Sequence, residues 1–473
     1  MIGAFQFRLS LQENLEEVPM PSLIGKQAVV VGAGMAGLTA ARSLANFFER
    51  IIVLENDPLP KEPRDRPGTP QCRHIHVLLA GGLKALSQLF PDFEENLSQA
   101  GAVPVRMGYD YRVERPGYDP FPKRDLGILI YSMTRPLLEF SVRKRLGEYS
   151  NIEVRERWLA QEFIPTPDHA AIAVVRCQNS DGTTETLPAD LVIDSSGHGR
   201  LTLALLQSIG LPAPEETLIG IDMGYATALF DIPESVPPDW MGVFTLPNYL
   251  RNNRGGFLLP VEGNRWILTL LGRYDDKPPA DWDAFLMYTR QVRTPTIYNA
   301  IRHAKRSSEI VRFGFKASRW RHFERLEKFP RMLLPFGDTI CRFNPMYGQG
   351  MSVAALEADV LTGLLAVQSA QGNGLATLPS AFFAEAEKLI ETPWSMAAIP
   401  DFIDSRTEGQ RPADFEGTIK FSAALLKLAA QDAAVHKLFI EVQNLLKPRS
   451  VFRNPELVER VQAVMAERQV APN

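Results

Sequence analysis

The order of hydrophobic and polar positions divides this chain into regions of different periodicity. β-Branched apolar runs at 27–31 and 51–54 predict two buried strands, and the small-residue segment 38–44 between them predicts a helix. From about residue 217 to 312 short apolar runs alternate with turn residues, which predicts a sheet. After residue 399 apolar positions recur at helical spacing, so we expect mostly helices there.

A glycine-rich turn joins the first predicted strand to the helix, and the second strand ends in an acid. The turn reads Gly32-Ala33-Gly34-Met35-Ala36-Gly37, and the acid is Glu55. Gly32 permits a tight turn, Gly34 lets a pyrophosphate approach the backbone, and Gly37 lets the helix pack close to the sheet. Strand, glycine turn, helix, strand and acid in this order are typical of a dinucleotide-binding unit.

The same unit predicts how a dinucleotide would be held. The N–H groups of Met35 and Ala36 lie at the positive end of the predicted helix and would face the phosphates. Glu55 would accept hydrogen bonds from the adenosine ribose. The motif by itself is compatible with NAD or FAD.

Composition describes an ordinary globular chain. The 473 residues suggest two or three structural units, and 45% of them are hydrophobic. The formal net charge is −4 without a long basic run, which argues against nucleic acid as a partner. Cys72, Cys177 and Cys341 are too far apart to predict a disulfide framework or a metal site, and they favour a reducing, cytoplasmic compartment. Residues 1–22 do not match a signal peptide, and no run of 18 apolar residues predicts a membrane span.

A second set of motifs lies in the last third of the chain. The apolar run at 332–336 ends in Gly337-Asp338, and Pro345 follows seven positions after the acid. The loop 346–351 then leads into a predicted helix whose first turns carry small residues. Such a helix can press its N-terminus against a flat group.

Together with the glycine turn, these motifs resemble those of the class A FAD-dependent monooxygenases, the para-hydroxybenzoate hydroxylase type. The resemblance implies that Asp338 accepts hydrogen bonds from the ribityl chain and that Pro345 lies near the reactive carbon of the flavin. It also implies that the helix dipole stabilises negative charge on the reduced flavin. The backbone N–H groups expected to face the pyrimidine carbonyl of the flavin belong to Gly348, Gln349, Gly350 and Met351.

A third match follows the predicted strand 191–194. Asp194 begins the segment Asp-Ser-Ser-Gly-His-Gly, where the family has an aspartate-glycine motif near the pyrophosphate. Two serines separate Asp194 from Gly197, as in the variant found in halogenases and polyketide epoxidases. Gly197-His198-Gly199 does not begin a second dinucleotide fingerprint, because the sixth position counted from Gly197 is Thr202 rather than glycine.

Three arginines are candidates for contact with the cofactor. Arg66 and Arg135 match family positions that hold FAD phosphate or ribityl groups, and the alternative for each is a solvated arginine. Arg73 belongs to the segment 70–79, which resembles bacterial flavin-dependent epoxidases acting on polyene precursors of polyether antibiotics. Cys72 is a departure from that resemblance, since a glycine or alanine is expected there.

The sequence does not identify catalytic side chains, and Arg73, His76, Tyr225 and Pro345 are candidates only. His74 and His76 would point the same way on a strand, although a structural role is the more common outcome for such histidines. No spacing of His, Cys and carboxylates predicts a metal site. Tyr225, on a predicted strand, could orient a polar substrate group or simply pack in the sheet.

The pattern and the resemblance together imply an α/β fold. It would consist of a Rossmann-type FAD-binding domain, an inserted sheet-based substrate domain and a helical C-terminal region. We expect the FAD-binding domain in two parts, 23–213 and 330–398, the substrate domain at 214–329 and the helical region at 399–473. Within that region 421–446 is expected to be a docking face, and a membrane-surface helix is the less favoured interpretation.

The implied function is an FAD-dependent monooxygenase that inserts one oxygen atom from O₂ into a lipophilic alkene or aromatic substrate through a flavin C4a-hydroperoxide. NAD(P)H, used directly or through a separate flavin reductase, would supply the electrons. Flavin-dependent halogenases share the fold but carry a Trp-x-Trp-x-Ile-Pro signature and a lysine near the flavin, and no such signature occurs here. The motifs are also compatible with an isoprenoid-type flavin reductase or dehydrogenase, and with a flavin-binding protein without turnover.

Overall fold

The protein was analysed as a computed structural model that describes residues 22–234, 239–372 and 374–470. The N-terminal segment whose charge pattern argues against a signal peptide lies outside the described residues, apart from Ser22. Two large sheets and a set of helices confirm the predicted α/β class, including the sheet-based unit and the helical C-terminal region.

A five-stranded parallel sheet carries the glycine turn. Its strands are buried runs rather than alternating ones, because helices and a smaller sheet cover both faces. Val31 pairs with Leu54 on one side and with Asp194 on the other, so the glycine turn and Glu55 come to the same carboxyl edge. The strand order across the sheet is Leu333–Pro335, Leu191–Asp194, Gly25–Val31, Phe48–Glu55 and Ile152–Glu156.

The second large sheet has seven strands and is antiparallel except at one edge. Its register places Tyr225 opposite Leu271 on one neighbour and opposite Phe313 on the other. The two outermost strands come from outside 214–329, and the predicted domain boundaries stay a prediction. The strand order is Cys341–Arg342, Val311–Arg321, Glu216–Asp231, Arg265–Arg273, Gly255–Val261, Gly242–Thr245 and Tyr111–Glu114.

Smaller elements lie around these sheets. Val103–Arg106 pairs with Leu129–Ser132, and a three-stranded sheet is formed by Trp158–Pro165, Ile172–Asn179 and Thr184–Pro188. Short 3-10 turns occur at Pro70–Arg73, Tyr274–Asp276, Phe323–Arg325, Gly337–Thr339, Pro345–Tyr347 and Arg449–Arg453.

The helices of the described residues begin with the one that follows the glycine turn. Those before the last sheet strand are Met35–Leu44, Ala80–Leu89, Phe93–Gln99, Arg135–Leu146, Arg200–Ser208, Trp282–Thr289 and Thr296–Ile301. Those after it are Gly350–Gln371, Leu378–Asp401, Phe415–Gln431, Ala433–Gln443 and Pro455–Val470.

Small residues bring two of these helices into close contact. Ser43 Oγ donates a hydrogen bond of 2.8 Å to the carbonyl oxygen of Ala358, across the interface of Met35–Leu44 and Gly350–Gln371. By length and composition Gly350–Gln371 is apolar enough to cross a membrane, and 50% of its most apolar window is buried. It packs against neighbouring helices on several sides, so its apolar residues contribute to the protein core.

The C-terminal helices pack with one another. Leu425 and Leu428 of Phe415–Gln431 are buried against Val461 of the final helix. The apolar positions that predict a docking face therefore contact other parts of the same chain.

Candidate functional site

The glycine turn has the geometry that its three glycines predict. Gly32 has a φ of +97°, in the left-handed region that favours glycine. A Cβ atom on Gly37 would lie 1.8 Å from the carbonyl oxygen of Gly32, so only hydrogen fits there. A Cβ atom on Gly34 would meet no other part of the described chain within 4 Å beyond the adjoining residues, so that backbone borders open space. The helix beginning at Met35 thus presents its N-terminus to a cavity.

The cavity is large and extends from the glycine turn to the antiparallel sheet. Its volume is about 1160 Å³. A pocket for a single drug-sized ligand is typically roughly 300–1,000 Å³, so this cavity lies above that range. Most of the predicted cofactor residues lie in its wall: Gly32, Gly34, Met35, Ala36, Glu55, Arg66, Arg135, Asp338, Pro345, Gly348, Gln349, Gly350 and Met351.

Three predicted cofactor residues do not lie in the wall. Gly37 is packed inside the turn. Asp194 is fully buried, and its carboxylate accepts a hydrogen bond of 2.6 Å from Thr202 Oγ1, so it holds the following loop. Arg73 is exposed, and its Nε donates to Asp65 at 2.5 Å. The structure therefore does not bring the side chains of Asp194 and Arg73 to the cavity.

Glu55 lies in the wall with both carboxylate oxygens already engaged. One accepts a hydrogen bond of 2.9 Å from the backbone N–H of Ala33, and the other accepts one of 2.9 Å from Asp57. These bonds orient the carboxylate across the glycine turn. The oxygen bound by Ala33 also lies 3.1 Å from Arg66, while the oxygen bound by Asp57 retains a second lone pair and can still accept a ribose hydroxyl.

Arg66 and Arg135 belong to a buried network of charges. Arg66 lies 3.1 Å from Glu55, 2.9 Å from Asp57 and 2.8 Å from Glu139. Arg135 Nη2 pairs with Glu139 at 2.9 Å, while its Nε has no partner among the described residues. Neither arginine is a solvated surface side chain. Sequence reasoning missed Asp57 and Glu139, although an acid two positions after Glu55 was visible.

Asp338 faces the cavity with a free carboxylate. The preceding Gly337 has a φ of +62°, and a Cβ atom on it would lie 2.6 Å from Ala36 Cβ, so the turn packs against the first helix. Within the described residues the carboxylate of Asp338 accepts no hydrogen bond, and burial raises its pKa while Arg342 opposes the rise. A carboxylate that is open to the cavity and has no donor suits a ligand with several hydroxyl groups.

The loop around Pro345 is anchored by a buried ion pair that the sequence did not indicate. Asn344 Nδ2 donates hydrogen bonds of 3.0 Å and 3.1 Å to the two carboxylate oxygens of Asp401, which pairs with the fully buried Arg273. Met346 N donates to Asn344 Oδ1 at 3.0 Å. Asp401 is 57 residues from Asn344, so no local pattern joins them.

Glu357 supports the Gly337 turn from inside the helix Gly350–Gln371. Its Oε2 accepts a hydrogen bond of 2.7 Å from the backbone N–H of Gly337, and its Oε1 has no partner among the described residues. Burial raises the pKa of Glu357 to about 8, so the carboxyl group is protonated at neutral pH. The sequence signal that could have indicated Glu357 is an acidic residue within an otherwise apolar helix.

We expect Glu357→Gln to remove a pH-dependent loss of stability. The pKa of this carboxyl is about 8 in the folded protein against 4.5 for an ordinary glutamate, so the folded state binds its proton more tightly. Its contribution to the unfolding free energy is therefore complete below pH 4.5 and is lost as pH rises toward 8. Denaturant titrations measure the unfolding free energy of both proteins at pH 5 and pH 8. The value for the variant minus that for the wild type should rise by on the order of 3 kcal/mol between these pH values. A difference that does not change with pH would contradict this assignment.

The far wall of the cavity is formed by the antiparallel sheet and is mainly apolar. Tyr225 lies there, buried, and its hydroxyl has no partner among the described residues. Met346 of the Pro345 loop packs in the same hydrophobic cluster. Other members of this cluster that line the cavity are Phe244, Leu246, Phe257, Phe313 and Phe315.

His74 and His76 also line the cavity, in an extended segment after the Pro70–Arg73 turn. His74 Nδ1 lies 2.7 Å from Thr227 Oγ1, and His76 Nδ1 lies 2.9 Å from the carbonyl oxygen of His74. Burial, aided by nearby arginine charges, lowers the pKa of His74 to about 4 and that of His76 to about 3. Both rings are therefore neutral at pH 7. No group of three metal-ligating side chains occurs in the described part of the chain.

Comparison with known proteins places this geometry in context. No family model matches the chain. Protein Rv3254 of Mycobacterium tuberculosis (strain ATCC 25618 / H37Rv) is 30% identical over 386 residues, which are 79% of this chain and 80% of that protein.

Solved structures of flavoproteins resemble most of the chain. A flavoprotein/dehydrogenase from Cytophaga hutchinsonii has a TM-score of 0.67 at 14% identity, over 94% of this chain and 99% of its own. The flavin-dependent brominase Bmp2 has a TM-score of 0.65 at 12% identity, over 94% and 99%. PqsL, a probable FAD-dependent monooxygenase from Pseudomonas aeruginosa, has a TM-score of 0.60 at 14% identity, over 80% and 96%. At these identities the likeness shows the fold.

Proposed function

We propose that this chain, which belongs to the family of protein Rv3254 and has the fold of the class A FAD-dependent monooxygenases and related halogenases, is an FAD-dependent monooxygenase. The observation that carries the proposal is the continuity of the large cavity. It joins the glycine turn, the free carboxylate of Asp338 and the Pro345 loop to an apolar sheet wall. Such a space would hold a dinucleotide at one end and a lipophilic molecule at the other.

The residues present fit FAD. The open backbone at Gly34 and the N-terminus of the first helix would take the pyrophosphate. Asp338 would accept hydrogen bonds from ribityl hydroxyls, and the N-terminus of Gly350–Gln371 would face the pyrimidine ring. When bound, FAD would supply the redox chemistry that activates O₂.

The chain's own contribution to oxygen transfer would be orientation and exclusion of water. The aromatic wall would hold an alkene or aromatic substrate beside the Pro345 loop. The two histidines in the cavity are neutral at pH 7, and the side chains of this cluster are apolar or aromatic. An apolar wall suits attack by an electrophilic oxygen on electron-rich carbon, which needs no side-chain acid or base. We assign epoxidation or hydroxylation to this site without choosing between them.

One observation favours oxygen transfer over halogenation. Halogenases of this fold carry a lysine near the flavin, and none of the described residues lining the cavity is a lysine. The likeness to a brominase shows the fold alone.

The remaining parts of the proposal concern the electron donor and the cellular compartment. NAD(P)H would be the electron donor, used directly or through a separate flavin reductase. The cytoplasm would be the compartment, since Cys72, Cys177 and Cys341 are free thiols buried in the structure.

Isotope labelling tests the reaction. The protein would be incubated with lipophilic alkenes and aromatic compounds, ¹⁸O₂, and NADPH with or without an added flavin reductase. We expect one labelled oxygen atom in the product by mass spectrometry, whether or not halide is present. A brominated or chlorinated product would establish a halogenase, and turnover without O₂ would establish a reductase or dehydrogenase. Failure of every compound to increase NADPH oxidation would favour a flavin-binding protein without turnover.

We expect Asp338→Ala to weaken FAD binding without unfolding the protein. Loss of hydrogen bonds to a charged acceptor should cost about 1.5–3 kcal/mol, or roughly ten- to a hundredfold in affinity. Quenching of flavin fluorescence measures the dissociation constant, and thermal unfolding checks the fold. Asp338→Asn keeps one acceptor oxygen and should lose less. A folded Asp338→Ala variant with wild-type affinity would remove Asp338 from the site.

A further inference from the structure

Two neighbouring polar groups in the cavity wall, His74 Nε2 and the hydroxyl of Tyr225, have no partner inside the described protein. We infer that they bind one oxygen atom of the substrate, a carbonyl or hydroxyl oxygen on an otherwise lipophilic molecule. The inference rests on the proposed function and names its substrate class. It concerns recognition and requires no turnover.

His74 is held by the sheet that forms the far wall. Its side chain is 5% exposed, and its ring centroid lies 6.0 Å from that of Tyr225 and 5.7 Å from that of Phe313. Nδ1 lies 2.7 Å from Thr227 Oγ1, which lies 2.6 Å from Thr269 Oγ1. One ring nitrogen is therefore used for anchoring, and the other remains free.

The hydrogen-bond chain indicates which nitrogen of His74 carries the proton. The backbone N–H of Ile75 donates to Thr269 Oγ1 at 3.0 Å, so Thr269 is already an acceptor. If Thr269 donates to Thr227 and Thr227 donates to His74 Nδ1, both hydroxyl hydrogens are used. If instead Nδ1–H donates to Thr227 and Thr227 donates to Thr269, the hydroxyl hydrogen of Thr269 has no acceptor and Nε2 has no donor. The first arrangement satisfies more groups and makes Nε2–H a donor without an acceptor.

Tyr225 supplies the second group. Its side chain is 6% exposed, and its position in the middle of the sheet prevents it from turning toward solvent. Burial raises the pKa of its hydroxyl well above the ordinary value, so it keeps its hydrogen. A buried hydroxyl without a partner destabilises a protein, so phenylalanine would be the better residue here unless a ligand completes the bond.

The pair lies near the Pro345 loop, so a substrate oxygen bound there would orient the substrate at this loop. The segment that carries His74 continues to Val77, and a Cβ atom on Gly348 would lie 3.3 Å from Val77 Cβ. Met346 and Tyr225 belong to one hydrophobic cluster. An oxygen atom held by His74 and Tyr225 would therefore orient the substrate at this loop rather than at a remote part of the cavity. A carbonyl can accept from both groups, and a hydroxyl can accept from one and donate to the other.

Calorimetric titration of the purified protein with matched probes tests the inference. One pair is 2-naphthol and 2-methylnaphthalene, and the other is 2-acetonaphthone and 2-isopropenylnaphthalene. The members of each pair have nearly the same shape and differ in the oxygen atom. We expect the wild type to bind the oxygenated member at least about tenfold more tightly in one pair or both, because only that member satisfies the two wall groups.

Three variants assign the preference to residues. Tyr225→Phe and His74→Phe should each reduce the preference for the oxygenated probe by about five- to tenfold without weakening binding of the hydrocarbon probe. His74→Gln keeps a donor and should retain part of the preference. Tyr111→Phe is the matched control, because the hydroxyl of Tyr111 in the same cavity also has no partner among the described residues, but its ring packs on Phe244 rather than on His74. It should leave the preference unchanged.

The possible results separate this inference from the proposed function. Equal affinity for both members of both pairs, absence of saturable binding, or a preference that survives both phenylalanine variants would overturn it. Loss of the preference in Tyr111→Phe alone would overturn it too. The titrations use no reductant and no oxygen chemistry, so failure of the monooxygenase proposal appears in the ¹⁸O₂ experiment and not here.

Discussion

Gly34→Ala is expected to weaken FAD binding by about 100-fold, equivalent to about 2.8 kcal/mol, while the protein stays folded. Beyond the adjoining residues, nothing in the described chain lies within 4 Å of the added Cβ, and Gly34 has a φ of −74°, so alanine fits the protein without strain. The methyl group would instead occupy the space where a pyrophosphate approaches the backbone. Flavin fluorescence gives the affinity, and thermal unfolding of the flavin-free protein gives the stability.

Gly37→Ala is the matched control, because it adds the same methyl group three residues later. There the Cβ atom would lie 1.8 Å from the carbonyl oxygen of Gly32 and 2.7 Å from Ser195 Oγ. We expect this variant to be destabilised by about 3 kcal/mol even without FAD. Wild-type affinity in Gly34→Ala would show that the turn does not hold the pyrophosphate, and wild-type stability in Gly37→Ala would contradict the packing of the turn.

Arg273→Met is expected to destabilise the protein by about 3–5 kcal/mol, because it leaves the carboxylate of Asp401 buried without its cation. Arg273 is fully buried and is also 3.2 Å from the hydroxyl of Tyr249. Asp401 holds Asn344 next to Pro345, so FAD affinity should fall as well. Denaturant unfolding measures the first effect, and fluorescence titration measures the second.

Two controls separate loss of the pair from loss of a single charge. The double variant Arg273→Met with Asp401→Leu removes both charges and should recover much of the stability. Arg50→Met breaks the exposed pair with Glu153 and should cost less than about 1 kcal/mol. An Arg273→Met variant as stable as Arg50→Met would show that the buried pair does not stabilise this loop.

The sequence determined the parts of the site that depend on neighbouring residues. The φ of Gly32 and the contact between Gly37 and Gly32 arise within one turn, so the spacing of the glycines was sufficient to predict them. Asp338 follows a buried strand and precedes a helix, which predicts an acid at a sheet edge. For the same reason most of the predicted cofactor positions line one cavity.

The local sequence pattern could not predict which way the side chains point in an irregular segment. Arg73 was a candidate cofactor contact, and His74 was expected to be structural. The chain there leaves a 3-10 turn, which directs Arg73 to solvent and His74 into the sheet. Strand alternation does not hold across such a turn, so the sequence could not decide which of the two faces the cavity.

Only the tertiary structure decided which distant residues complete the site. Arg273 and Asp401 are 128 residues apart, and His74 and Thr227 are 153 apart. The large sheet also takes its edge strands from 111–114 and 341–342, outside the region whose alternation predicted it. Hydrophobic pattern specifies that a residue is buried, but a buried charge or hydroxyl needs a particular partner. That partner is set by how the sheets and helices pack, and no short stretch of sequence contains it.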